Sequence, residues 1–211
     1  MPEVIWSWRE LCAATGTEIV DGPDVTGIQI DSRGVVAGDL FVALPGDPGP
    51  RFNVSHRSDR DGHDYVDAAI KNGAVGALVH RNDMGVRTLR VDDTLDGLWA
   101  LAAPRRAALD ADVIAITGSS GKTTLKSFLN AALAEHGATS STQGSLNNHI
   151  GVPLSLARTP AGSAFVVIEI GTNHPGEIAP LSNLTRPDIA VLLNVFPAHI
   201  GNFADIEALR A

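Results

Sequence analysis

A single cysteine, Cys12, occurs in 211 residues, so no disulfide can close within the chain and no paired-cysteine zinc site can form. That usage fits a reducing compartment, with Cys12 expected as a small core residue. Basic side chains are in deficit, 16 lysines and arginines against 24 acids for a formal charge of -8. A broad nucleic-acid surface is therefore not expected, because phosphate backbones are held by basic patches. A local lysine or arginine can still meet a small anion. No uninterrupted apolar stretch approaches the ~18 residues of a membrane span, and no charged-then-apolar leader opens the sequence. A soluble, cytoplasmic protein with no membrane span is the expectation. With 44% hydrophobic residues the chain can bury a sizeable core, in one domain or two. Two is the working reading.

The two halves differ in texture. Up to about Asp110, short apolar runs (28–30, 39–44 and 75–80) alternate with Gly, Pro and Asp turn signals, which predicts a small α/β domain. Residues 67–72 read as a short helix ending near Gly73. Leu95, Leu98, Trp99, Leu101 and Ala102 recur at helical spacing, and the domain boundary is placed at 110/111. The stretch 45–63 is rich in Pro, Gly, Asp and Arg and predicts a surface loop. From Asp112 the pattern becomes strand, loop, helix. VIAIT (113–117) has strand length, and 123–136 predicts a helix with Leu125, Phe128, Leu129, Ala132 and Leu133 on one apolar face, stopped by Gly137. AFVVIEI (164–170) and IAVLLNV (189–195) resemble strands covered on both sides, as in a parallel, doubly wound sheet.

Between the first of these strands and its helix lies TGSSGKTT (117–124). A Gly-rich turn running into a helix presents backbone N–H groups where the helix dipole favours an anion, and phosphate fits there. Gly118, Ser119, Ser120, Gly121, Lys122, Thr123 and Thr124 are the candidate nucleotide-binding residues. Lys122 is placed to set its ammonium against β and γ phosphates, and the Thr123 hydroxyl to ligate Mg2+. A Cβ at 118 or 121 is expected to push the loop away from phosphate oxygens. The bland alternative is an ordinary strand-to-helix turn with a solvated lysine. The loop is a variant, since the general spacing would put a first glycine where Ile116 stands.

This segment resembles the ATP loop of the Mur ligases, and further segments agree with it in order. QGSLNNHIGVPLSL (143–156), IEIGTNHPGEIAPL (168–181) and PDIAVLLNVFPAHIGNF (187–203) look like successive central-domain motifs of that family, closest to its MurF branch. DSRGVVAGDLFVALPG (31–46) and DGHDYVDAAIKNGAVGALV (61–79) are similar to the UDP-substrate domain that the MurE and MurF branches share. The resemblance implies α/β architecture, with a small N-terminal substrate domain (1–110) followed by part of a P-loop ATPase domain with a mostly parallel sheet (111–211). It implies an ATP- and Mg2+-dependent ligase that joins D-Ala-D-Ala to UDP-MurNAc-tripeptide through an acyl phosphate, and a monomer is expected.

The chemistry needs positive charge where a carboxylate meets a polyanion. The resemblance accordingly implies Lys122, Glu169 and His199 as catalytic residues, with Thr123, Glu169 and His199 toward metal. Glu169 is the only acid in AFVVIEI and lies at a strand exit, where open parallel sheets bind ligands. Asn147 and Asn148 match paired asparagines that face the UDP-sugar or phosphates, or else they do no more than bond their own turn. Asn173 and His174 fall in a motif whose individual roles stay open. Asp31, Ser32 and Arg33 match the segment contacting the uridine-diphosphate end, Arg being suited to a diphosphate; a turn with a surface Asp–Arg pair is the alternative. Arg51, Arg57 and Arg60 could flank an anionic ligand. His56, His63, His80 and His136 show no ligand spacing and are assigned no metal. Residues 204–211 read as the start of a helix that ends without a cap, so the chain is expected to lack the rest of the central sheet and a third domain, and to be a poor ligase alone. A MurE-type ligase and a non-catalytic nucleotide-binding module remain the alternatives.

Overall fold

The computed structural model describes residues 2–46, 60–82 and 85–197, together with Asn202, Phe203, Asp205 and Glu207. The chain divides into two units, Met1–Pro104 and Arg105–Ala211.

In the first unit, helix α1 (Trp8–Thr15) starts on a capping box between Ser7 and Glu10 and stops at Gly16, which adopts the left-handed conformation. Four parallel strands follow, β1 (Gly27–Gln29), β2 (Asp39–Val42), β3 (Gly76–Val79) and β4 (Thr88–Arg90), in the order β1-β2-β3-β4. Every residue of β2 and β3 is buried. Continuous apolar runs of this kind are what a parallel strand covered on both faces requires. Helix α2 (Val66–Lys71) supplies Val66 and Ala69 to a core built with Phe41, Ala43, Ala77 and Val79. Cys12 is buried, as its count in the sequence led us to expect.

Helix α3 (Thr94–Ala108) continues past the unit boundary, which falls inside it rather than at 110/111. The reason is its last turn. Buried Arg106 donates to the carbonyls of Thr185 and Arg186, each at 2.6 Å, so that turn belongs with the second unit.

The second unit is the expected parallel α/β sheet. Strands β5 (Asp112–Thr117), β6 (Thr139–Ser141), β7 (Phe165–Glu169) and β8 (Ile189–Leu192) lie in the order β6-β7-β5-β8, all parallel. They alternate with α4 (Lys122–Ala134), α5 (Gly151–Arg158) and α6 (Ile178–Thr185). The chain crosses from β5 to β6 in one direction, then returns through β7 to β8. Right-handed crossovers therefore put α4 on one face and α5 and α6 on the other. Ile114, Ile116 and Val167 form a core with Leu125, Leu129 and Leu133 of α4, and the alternate residues Val113, Ala115, Val166 and Ile168 are buried as well.

One expectation needs correction here. Phe128 is 69% exposed and Ala132 is also exposed, so the buried face of α4 is rotated away from them. At ~100° per residue the line through Leu125, Leu129 and Leu133 is centred nearer residue 126, and Phe128 falls outside it. Within this chain, Ile189 and Leu192 of β8 are 53% and 65% exposed. The strand pairs with β5 along one edge.

Candidate active site

All strands of the second sheet run the same way, so the exits of β5, β7 and β8 meet at one edge. At the exit of β5 the backbone turns through Gly118 (φ 137°) and Gly121 (φ 84°), conformations that L side chains rarely adopt. The two glycines serve different ends. A Cβ on Gly118 would lie 3.1 Å from the backbone N and O of Asn194, whereas one on Gly121 would make only an ordinary 3.5 Å contact with Leu193. The glycine at 118 thus lets the loop lie against the β8 exit, and the one at 121 supplies the left-handed cap of α4.

Asn194 organises the loop. Its backbone carbonyl accepts from Ser119 N (3.1 Å), its Oδ1 accepts from Ser120 N (3.1 Å), and its Nδ2 donates to Ser120 O (3.1 Å). The Ser119 hydroxyl bonds both polar groups of the Phe196 backbone. The amides of Ser119 and Ser120 therefore face Asn194, and the expected cradle narrows to the helix start. The first helical bond of α4 runs from Leu125 N to Gly121 O, so the amides of Lys122, Thr123 and Thr124 precede it and form the donor end of the helix. Lys122 is half-buried and folds its ammonium back onto Gly118 O at 2.5 Å.

Glu169, the last residue of β7, is 1% exposed and fully engaged. Its Oε2 accepts from the Thr123 hydroxyl at 3.0 Å and lies 3.3 Å from the Lys126 ammonium, while Oε1 accepts from Asn147 Nδ2 at 2.7 Å. Lys126 also donates to Gly144 O, and Glu169 N donates to the Thr142 hydroxyl. Three expected residues, Thr123, Asn147 and Glu169, are thus in one hydrogen-bonded group beside Lys122. Thr123 and Glu169 offer hard oxygen donors whose spacing suits neighbouring ligands of a Mg2+ with bonds of ~2.1 Å.

The other candidates are placed as follows. Asn148 Oδ1 accepts from the amides of Ile150 and Gly151, so this side chain caps the start of α5. Asn173 and His174 lie in a loop gathered by Glu177, whose carboxylate accepts from both backbone amides at 2.6 and 3.0 Å. Burial pushes the Glu177 carboxyl up, but those amide bonds together with His174 outweigh it and hold the group below its ordinary range. His199 lies outside the described residues, as do Arg51, His56 and Arg57; of 204–211 only Asp205 and Glu207 are described.

In the first unit, Asp31, Ser32 and Arg33 line a cavity of about 390 Å³ with Phe41, Arg60 and Tyr65. Asp31 caps a short turn and takes two bonds from the Arg33 guanidinium, Nε at 3.0 Å and NH2 at 2.6 Å. The Arg33 side chain and then its amide hold the Asp31 carboxyl at about 2. The turn and the Asp–Arg pair are therefore both present, and the remaining donors of the fork stay available to an anion. Asp61, His63 and His80 come together, which their spacing in sequence did not suggest. The His63 ring is fully occupied, with Nδ1 2.6 Å from Asp61 and Nε2 accepting from the His80 amide at 3.0 Å, so it ties the 61–65 turn to the end of β3.

Sequence reasoning missed Lys126 and Asn194. Asn194 carries the same mark that revealed Glu169, a lone polar residue at the end of an apolar run.

A glycine-lysine-threonine loop at the carboxyl edge of a parallel sheet, with a buried carboxylate bonded to the threonine, defines an α/β protein of the P-loop nucleotide-binding class. Two family models match, the Mur ligase family catalytic domain over residues 24–106 and the Mur ligase middle domain over 116–211. The chain belongs to the Mur ligase family. It is 41% identical over 193 residues to the UDP-N-acetylmuramoyl-tripeptide--D-alanyl-D-alanine ligase of Escherichia coli, an alignment covering 90% of this chain and 40% of that protein. Among solved structures, MurF from Acinetobacter baumannii superposes with a TM-score of 0.81 at 35% identity, over 100% of this chain and 45% of that one. MurF from Thermotoga maritima in complex with ADP gives 0.69 at 35% identity, over 87% and 41%. The chain thus spans less than half the length of these relatives.

Proposed function

We propose that this chain carries the UDP-substrate unit and the ATP-binding unit of a cytoplasmic, monomeric ligase that adds D-Ala-D-Ala to UDP-MurNAc-tripeptide. The hydrogen bond from Thr123 to buried Glu169, one residue after Lys122, is the observation that carries the reading. It sets a hydroxyl and a carboxylate beside the donor end of α4, where the β and γ phosphates of ATP would sit with Mg2+. In the reaction a substrate carboxylate oxygen attacks the γ phosphorus and ADP leaves; the incoming amine then attacks the acyl carbon, loses a proton and expels phosphate. Lys122 would release Gly118 O and turn to the phosphates, lowering the repulsion between carboxylate and polyanion. Thr123 and Glu169 would hold Mg2+, with His199 at a second metal ion, and Mg2+ would supply charge neutralisation at the phosphoryl oxygens. Asp31 would keep the Arg33 fork oriented for the uridine diphosphate, with Ser32 beside it, and Asn147 would hold Glu169 while Asn148 caps the adjoining helix.

Titration of the 211-residue chain with a fluorescent ATP analogue tests this. Mg2+-dependent binding that weakens at least ~10-fold in Lys122→Ala is expected for loss of one charge-assisted phosphate contact. Absence of binding at millimolar nucleotide, or equal binding by the variant, would refute it. Replacing D-Ala-D-Ala by single amino acids with the full-length parent separates this reading from a MurE-type ligase.

A further inference from the structure

Lys126 is 5% exposed on a helix whose neighbouring lysine, Lys122, is half-buried at the loop. The two stand one helical turn apart and do different things. Lys122 bonds a loop carbonyl, while Lys126 turns inward to a glutamate that is 1% exposed. The oxygen it faces is the one that accepts from Thr123, and the opposite oxygen is taken by Asn147. Through Gly144 the same ammonium also holds the segment that delivers Asn147. A carboxylate so deep in the sheet must be balanced by a cation, and here the protein supplies one of its own.

We propose that Lys126 is a positioning residue that acts as a resident counter-ion for Glu169, balancing and orienting it without metal and thereby setting how tightly the site takes a divalent cation. The inference rests on the reading that Glu169 serves Mg2+. Two consequences follow from the shared oxygen. A divalent ion brought to Glu169 Oε2 meets the ammonium as a like charge at close range, so Lys126 weakens the metal. Without Lys126 the metal-free protein keeps a buried, partly unbalanced carboxylate and loses stability.

The probe is Mn2+, followed by the electron paramagnetic resonance signal of the free ion in the presence of ADP. Wild type, Lys126→Met and Lys126→Arg are compared, with melting temperatures taken without metal. Lys126→Met is expected to bind Mn2+ about tenfold more tightly and to melt at least ~5 °C lower without metal. Lys126→Arg keeps the charge and should stay near wild type in both readouts. A merely structural lysine would lower the melting temperature and leave Mn2+ affinity unchanged or weaker, and that result would overturn the proposal. Should Lys126→Met not fold, Glu169→Gln and the double variant Glu169→Gln/Lys126→Met decide. With the carboxylate neutral, removing the ammonium should raise the melting temperature, and a further drop would overturn the counter-ion role. Failure of the wild-type chain to bind Mn2+ with ADP would instead retire the nucleotide reading, and this inference with it.

Discussion

Replacing Asn194 by alanine removes the clamp that fixes the nucleotide loop while leaving the backbone bond from Ser119 N to Asn194 O in place. The lost side-chain bonds are Ser120 N to Oδ1 and Nδ2 to Ser120 O, both 3.1 Å and exposed, with a longer one from the Ser120 hydroxyl to Oδ1 at 3.4 Å. Exposed neutral hydrogen bonds contribute about 0.5–1.5 kcal/mol each, so the clamp supplies about 1–3 kcal/mol of loop order. If that order is a precondition for presenting the helix-start amides, ATP affinity should fall roughly 5- to 150-fold, since ~1.4 kcal/mol is a factor of ten. Asn194→Asp separates geometry from charge. It keeps an acceptor for Ser120 N yet places a carboxylate beside the phosphate site, so binding should be weaker still at low salt and recover partly at high salt. Fluorescent-ATP titrations at two ionic strengths read both effects. Wild-type affinity in Asn194→Ala, or an aspartate variant that binds better than the alanine one, would refute the loop's dependence on this side chain.

Arg106→Met should destabilise the second unit by about 3–6 kcal/mol, since it removes two hydrogen bonds from a charged donor to carbonyls at ~1.5–3 kcal/mol each; urea denaturation followed by circular dichroism measures it. His80 titrates below its ordinary value because burial and then the neighbouring His63 disfavour its charged form. Its folded pKa lies under the unfolded value of 6.5, so the unfolded chain binds the proton more readily and stability falls as pH drops below that point. Denaturation midpoints at pH 7.5 and 5.5 should therefore differ in the wild type, with a smaller gap in His80→Gln; an equal gap would assign the pH dependence elsewhere.

The second unit was largely legible because its chemistry is local. An apolar run, a glycine turn and a lysine at a helix start are adjacent in sequence, and Glu169 stood out as the only acid in AFVVIEI. Asn194 bears the same signature in IAVLLNV, but a neutral amide suggests no chemistry of its own. Lys126 was hidden by phase. Counting Phe128 into the apolar face turned the helix, whereas Leu125, Leu129 and Leu133 alone would have brought residue 126 inward. The exposure of β8 and the meeting of Asp61 with His80 depend on which elements become neighbours, and short-range patterns do not carry that. Asp31 and Arg33 illustrate a different limit, because both readings of the segment describe the same turn.

The central place of β5 has a consequence for how the second unit is made. It leaves the ribosome first among its sheet, yet its partners are β7, from residue 165, and β8, which ends at residue 192. Its two hydrogen-bonding edges must wait while dozens of residues are synthesised, and pairings so distant along the chain form slowly. The same arrangement that gathers three strand exits around one loop thus makes the central strand of this sheet the one that waits longest for its neighbours.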